Sequence, residues 1–110
     1  MPKRFDPRLV LMATKLKAIL DRAEARDYRD IAETTSAGVS LPSGLGAFRQ
    51  MFGGEPSQVL RALGYFKDGD LPTLAKTDRE LLRSARDRVL EVPEVFVTPG
   101  SLAVPLDEPA

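Results

Sequence analysis

Apolar residues recur at steps of three and four along the first part of the chain, at Leu9, Met12, Ala13, Leu16, Ile19, Leu20 and Ala23, with polar or charged residues at most of the positions between them. That period predicts an α-helix with one face turned to a core. Asp6 followed by Pro7 supplies its start, because Asp accepts bonds from the first free amides and Pro at the first helical position gives up no needed donor. The stripe lapses over residues 24–27 and resumes with Tyr28, Ile31 and Ala32. The pattern therefore allows either a bent helix or a second helix starting near Ala25, ended by the Thr, Ser and Gly cluster at 34–38.

Ser40, Leu41 and Pro42 read as a cap and a third start, with Leu45, Phe48, Met51 and Phe52 as the apolar face and Gly53-Gly54 as the stop. Glu55-Pro56 opens a fourth segment carrying Val59, Leu60, Leu63, Tyr65 and Phe66 before a turn at 67–70. Thr77 with Glu80 three residues later makes a capping box for a fifth, which carries Leu81, Leu82, Ala85, Val89 and Leu90. The expected fold is all-α, a compact bundle of about five helices forming one domain over residues 1–92. Beyond it the Pro-rich stretch 93–110 adds a small strand, drapes over the bundle or stays loose.

A chain of 110 residues is one domain's worth and buries about two-thirds of its unfolded surface. Sixteen basic residues balance sixteen acidic ones, so no long-range field draws in nucleic acid or an acidic membrane. The absence of Cys and His excludes disulfides, zinc–thiolate sites and His-dependent hydrolase triads. Carboxylate, lysine, arginine and tyrosine chemistry remains, with a hard cation such as magnesium as the natural metal. No apolar run reaches the ~20 residues that span a bilayer, and the charged start MPKRFDPR has no cleavable apolar segment, so the expected location is cytoplasmic.

The one constellation that hints at chemistry is Lys15, Arg22, Arg26, Asp27 and Asp30. On an unbroken helix Lys15, Arg22 and Arg26 fall within about 20° of one line, and Asp30 lies about 60° from Lys15 on the same side. Two readings stay open. A lysine and an arginine can hold the phosphates of a nucleoside triphosphate, with a carboxylate to orient them. Alternatively the acids pair with the neighbouring arginines on a solvated face, each exposed pair contributing under about 1 kcal/mol. A lysine on such a polar face supports little packing, so Lys15→Ala should leave stability nearly unchanged.

The run KLKAILDRAEARDYRDI resembles the lysine helix and following aspartate segment of the AbiEii/AbiGii-type nucleotidyltransferase-like toxins, matching at Lys15, Arg22 and the signature Arg26-Asp27-Tyr28-Arg29-Asp30-Ile31. A second likeness runs from GVSLPSGLGAFRQMFG through VLRALGYFKDGDLPTL, so the resemblance covers most of residues 9–90. It implies the carboxy-terminal helical half of such an enzyme, a toxin of toxin–antitoxin or phage-defence systems. By matching position Lys15 would contact nucleotide phosphates and Asp30 would belong to the catalytic site. Arg22, Arg26 and Asp27 would be nucleotide-binding. The family's Gly-Ser turn and Asp-x-Asp metal pair have no counterpart ahead of residue 9, so the chain is expected to bind no metal alone and to be inactive without a complementing partner chain. Magnesium and a nucleoside triphosphate belong to the completed site. An antitoxin or a second copy of the chain are the other partners in view, and the rival class is a stand-alone helical interaction module that uses an apolar groove.

The remaining candidates read as architecture. Asp68-Gly69-Asp70 is a turn between helices. Gly44-Leu45-Gly46 is too short for a phosphate loop and suits close helix packing. Arg83, Arg86 and Arg88 share their helix with Glu80, Asp87 and Glu91 as a solvated face, and Phe48, Met51 and Phe52 belong to the core.

Overall fold

The computed structural model describes residues 7–95. Over them the chain forms five α-helices: α1 (Pro7–Asp21), α2 (Ala25–Ser36), α3 (Leu41–Phe52), α4 (Pro56–Ala62) and α5 (Lys76–Asp87), with a 3₁₀ turn at Leu71–Thr73 before α5. No strand occurs among the described residues, and none of their helices is long and apolar enough to cross a membrane. The fold is the all-α bundle that the periodicity predicts.

α1 is the central element, packing on α2, α3 and α4. It buries Leu9, Met12, Ala13, Leu16 and Ile19, which lie on the face that the spacing marks as apolar. Its partner α3 is capped by Ser40, whose hydroxyl accepts the Ser43 amide at 3.1 Å, and is closed by Gly53 in the left-handed conformation with φ 68°. Gly44 on α3 lies directly over the Met12 side chain, so that a β-carbon there would overlap it. The two helices approach closely because the residue at this contact has no side chain.

Between α1 and α2 the helical pattern does break, at residues 22–24. The chain takes the second of the two courses open to it, a new helix from Ala25, and the single stripe expected for Lys15, Arg22 and Arg26 is split across a corner. Glu24 occupies the N-cap position of α2 but makes no side-chain cap. The cap comes instead from Asp70, whose Oδ1 accepts the Ala25 amide at 2.7 Å from 45 residues further along. The turn that carries it has Gly69 at φ +53°, with the Ala23 carbonyl where a β-carbon would sit.

The start of α5 differs from expectation. Leu71 and Leu74 are drawn into the core, and the extended backbone at Leu74 and Ala75 leads straight into the helix at Lys76. Thr77 is thus already inside the first turn and does not form the expected capping box; no side chain caps α5. Burial of two leucines sets the boundary, not the local signal. α5 ends at Asp87, so Leu90 leaves the helical face and is 93% exposed. Phe52, the last residue of α3, and Tyr65, three residues past the end of α4, are exposed as well.

Past α5 the described chain reaches Val95 and lies across α3. Arg49 Nη2 donates to the carbonyls of Val92 and Pro93 at 3.1 and 3.3 Å, and Gly46 leaves room for Pro93 and Val95. The rest of the expected tail, 96–110, and the Asp6 cap lie outside the described residues.

Two substitutions test this packing. Leu16→Ala, at a fully buried position, should lower unfolding free energy in urea by about 2–5 kcal/mol. Gly69→Ala should cost about 1–3 kcal/mol through positive φ and collision with the Ala23 carbonyl. A neutral result for Gly69→Ala would show that the turn does not rest on the α1–α2 corner at Ala23.

Candidate functional site

The corner places a carboxylate where water cannot reach it. Asp27, in the first turn of α2, has no exposed surface. A buried carboxylate is tolerated only where charge and hydrogen bonds replace its hydration. Here Arg22, from the corner itself, donates from Nε to Oδ2 at 3.1 Å, and Lys15, from α1, places Nζ 3.3 Å from Oδ1. The third helical position is also where the α2 dipole favours a negative group.

The cluster extends outward from this pair. Lys15 Nζ lies 2.8 Å from Asp30 Oδ2, one turn further along α2 and nearer the surface. Arg22 Nε also faces Glu24 Oε1 at 3.4 Å, and Glu24 in turn accepts from Arg26 Nε at 3.0 Å. Lys15, Arg22, Asp27 and Asp30 therefore stand together. Arg26 does not join them; it reaches only Glu24 and is largely exposed. The i+11 spacing that put it beside Lys15 holds for one continuous helix and fails once the axis turns. Glu24 as the bridging acid and Asp70 as the helix cap had no local sequence signal, since each acts through the turn of the chain or across 45 residues.

The electrostatics follow from the geometry. Burial pushes the Asp27 carboxyl up, but the hydrogen bonds from Arg22 and Lys15, with their charges, outweigh it and hold the group below its ordinary value. Lys15 is raised, first by its hydrogen bond to Asp30, against partial desolvation, and then by Asp27. Arg22 is raised by Asp27 in the same manner. The neighbouring Tyr28 is buried, meets Phe66 edge to face at 6.0 Å, and is raised by burial and by the charge of Asp68.

Chemically the corner offers cationic heads held by a fixed anion. Arg22 uses Nε for Asp27 and Glu24, leaving the terminal guanidinium nitrogens of a side chain that is 47% exposed. Lys15 is less exposed and shares its ammonium between two carboxylates. Magnesium does not fit this donor set: both Asp27 oxygens and the near oxygen of Asp30 already face cations, and among the described residues no group of acidic side chains could hold a metal ion. Phosphate oxygens suit the cations better than a metal suits the acids. Neither of the two described clefts, of 320 and 180 Å³, is lined by these residues. No protein-family model, curated protein or solved structure matches the chain.

The burial of Asp27 changes the expectation for Lys15. Because the lysine offsets a charge inside the fold and does not stand on a solvated face, Lys15→Ala should cost about 1–3 kcal/mol in urea unfolding; an unchanged midpoint would mean that Arg22 alone suffices. The pH profile follows from the same group. Asp27 with a lowered folded pKa stabilises the protein above its unfolded value of about 4 and loses that contribution as pH falls through the folded value. Lys15 and Tyr28, both raised, contribute fully below their unfolded values near 10 and lose it as pH rises further. Asp27→Asn should flatten the acid limb and shrink the alkaline limb only by the share that Asp27 gives Lys15, since Asp30 and Tyr28 remain. Equal acid slopes in the two proteins would show that Asp27 titrates alike folded and unfolded.

Proposed function

We propose that the chain is a helical module of the AbiEii-type nucleotidyltransferase kind, in which Lys15 and Arg22 form one wall of a nucleoside triphosphate site and Asp27 holds them in place. Asp30 stands at the outer edge, where it steers Lys15 and would face the substrate. Arg26 takes a peripheral part through Glu24. Transfer chemistry would need a further wall that brings a metal-binding carboxylate pair, from another stretch of chain or a partner chain, and the module alone binds without catalysing.

One observation supports this reading above the others: a lysine from α1 and an arginine from the corner share one fully buried carboxylate, and the arginine side chain stays 47% exposed. A buried anion fixes the positions of the cations before any ligand arrives, which is how charge-assisted phosphate contacts become specific. The resemblance of residues 15–31 to the family's lysine and aspartate segments points to the same side chains.

A second reading has support from the same cluster. Every acid in it already has a cation, which suits a plain clamp that fixes the corner of an interaction module.

Titration of the ¹⁵N-labelled protein with ATP and GTP separates the two. The proposal expects saturable amide shifts centred on Lys15, Arg22 and Asp30, with a dissociation constant on the order of 1 mM, lost in Arg22→Gln with the fold intact by circular dichroism. Because no cluster of three or more acidic side chains that could hold a metal ion occurs among the described residues, added magnesium should weaken binding by neutralising the phosphates. Absence of shifts at saturating nucleotide would leave the clamp.

A further inference from the structure

The larger described cleft lies between the end of α4 and the start of α5, away from the residues of the corner. Its lining is chemically uneven. Tyr65 and Phe66 supply aromatic surface, and Lys67, Lys76, Arg79 and Arg83 surround it, with Glu80 as the single acid. In a chain whose sixteen basic and sixteen acidic residues cancel, this is a local excess of positive charge.

Little of that excess is used internally. Glu80 approaches Lys76 only at 3.9 Å between two highly exposed side chains. Lys67, Arg79 and Arg83 form no salt bridge with any other described residue. Asp68, the acid next to Lys67, exerts its charge on Tyr28. The solvated face expected for Arg83, Arg86 and Arg88 is thus divided: Arg86 pairs with Asp87, whereas Arg83 turns to the cleft and stacks on Phe66 with its guanidinium carbon 4.9 Å from the ring centre.

The two aromatics differ in role. Phe66 is nearly buried, packs against Tyr28 in a T-shaped pair, and serves as the floor over which Arg83 lies. Tyr65 is 48% exposed and leaves a ring available to a ligand. An open cleft of about 320 Å³ with exposed ring surface, a guanidinium over an aromatic floor and two cations without an acid partner, Lys67 and Arg79, fits a ligand of repeating negative charge that carries flat apolar groups. A small inorganic anion would leave the exposed ring unused, and the acidic side chains of a peptide are not themselves flat rings. Single-stranded nucleic acid has both, since its bases stack on aromatic and guanidinium planes while its phosphates meet lysine and arginine.

We infer that the α4–α5 cleft binds a short stretch of single-stranded nucleic acid, with Tyr65 and Arg83 as stacking surfaces and Lys67 and Arg79 on the phosphates. This inference is independent of the triphosphate reading of the α1–α2 corner.

Fluorescence anisotropy with a labelled single strand of about a dozen nucleotides tests it. The expected outcome is binding with a dissociation constant on the order of 10⁻⁵ M at low salt, and a log–log salt slope of roughly −1.4 for two neutralised phosphates. Tyr65→Ala should weaken binding roughly tenfold, and Lys67→Glu with Arg79→Glu should abolish it. Lys17→Glu, on the surface of α1, should change it little, with circular dichroism and melting used to show that each variant is folded. No binding at about 50 mM salt would overturn the proposal. So would full retention in Tyr65→Ala, or equal competition by polyglutamate, either of which would identify a general acidic partner in place of stacked bases.

Discussion

A carboxylate removed from water needs opposite charge and directed donors, and in this protein that requirement falls on Asp27. The group lies in the first turn of α2, against the end of α1, and is met by Lys15 and Arg22. It therefore ties the two helices together through their polar sides, while Leu16, Ile19 and Ile31 tie them through the core. The relative placement of α1 and α2 must satisfy both sets at once. Apolar packing alone is non-directional and would tolerate small rotations of either helix; the bonds to a buried carboxylate tolerate them far less. This gives the corner a defined geometry in a bundle whose other contacts are mostly leucine, valine and alanine surfaces.

The same corner is reinforced from a distance. Asp70 caps α2 in place of Glu24, and Gly69 lets its turn lie against Ala23. Glu24, released from capping, is free to bridge Arg22 and Arg26. The exchange of one cap for another is thus what joins the second half of the bundle to the first at a polar contact. Phe66 continues the connection, since it sits between Tyr28 on α2 and Arg83 on α5. The two charged regions of the protein are consequently built on neighbouring supports: the acid of one and the aromatic floor of the other both rest on the first two turns of α2. They differ in how their charge is disposed. At the corner every carboxylate faces a cation, whereas in the α4–α5 cleft the cations outnumber the acids.

Much of the architecture was legible along the chain because it depends on local terms. The spacing of Leu9, Met12, Ala13, Leu16 and Ile19 determines which side of α1 is buried, and Ser40, Pro42 and Gly53 bound α3 by backbone chemistry that acts within a few residues. The α5 boundary was not legible, because the capping box at Thr77 and Glu80 competes with the burial of Leu71 and Leu74 and loses. The candidate site was legible in membership and not in form. Lys15, Arg22, Asp27 and Asp30 come from one charged run, but the continuous-helix geometry that aligned Arg26 with them ends at the corner.

What the amino-acid order determined by itself is the helical class, the buried face of each major helix and the short list of charged residues with chemical potential, because periodicity and end signals operate over one or two turns. What only the tertiary structure decided is which charge is buried, which cation meets it and which remain unpaired. Those outcomes depend on the angle between helices, on a cap supplied from 45 residues away and on which side chains lose their water when the core closes. Asp27 and Asp30 differ by three positions in the chain and by nothing in chemistry, yet the fold excludes water from one and leaves the other at the surface.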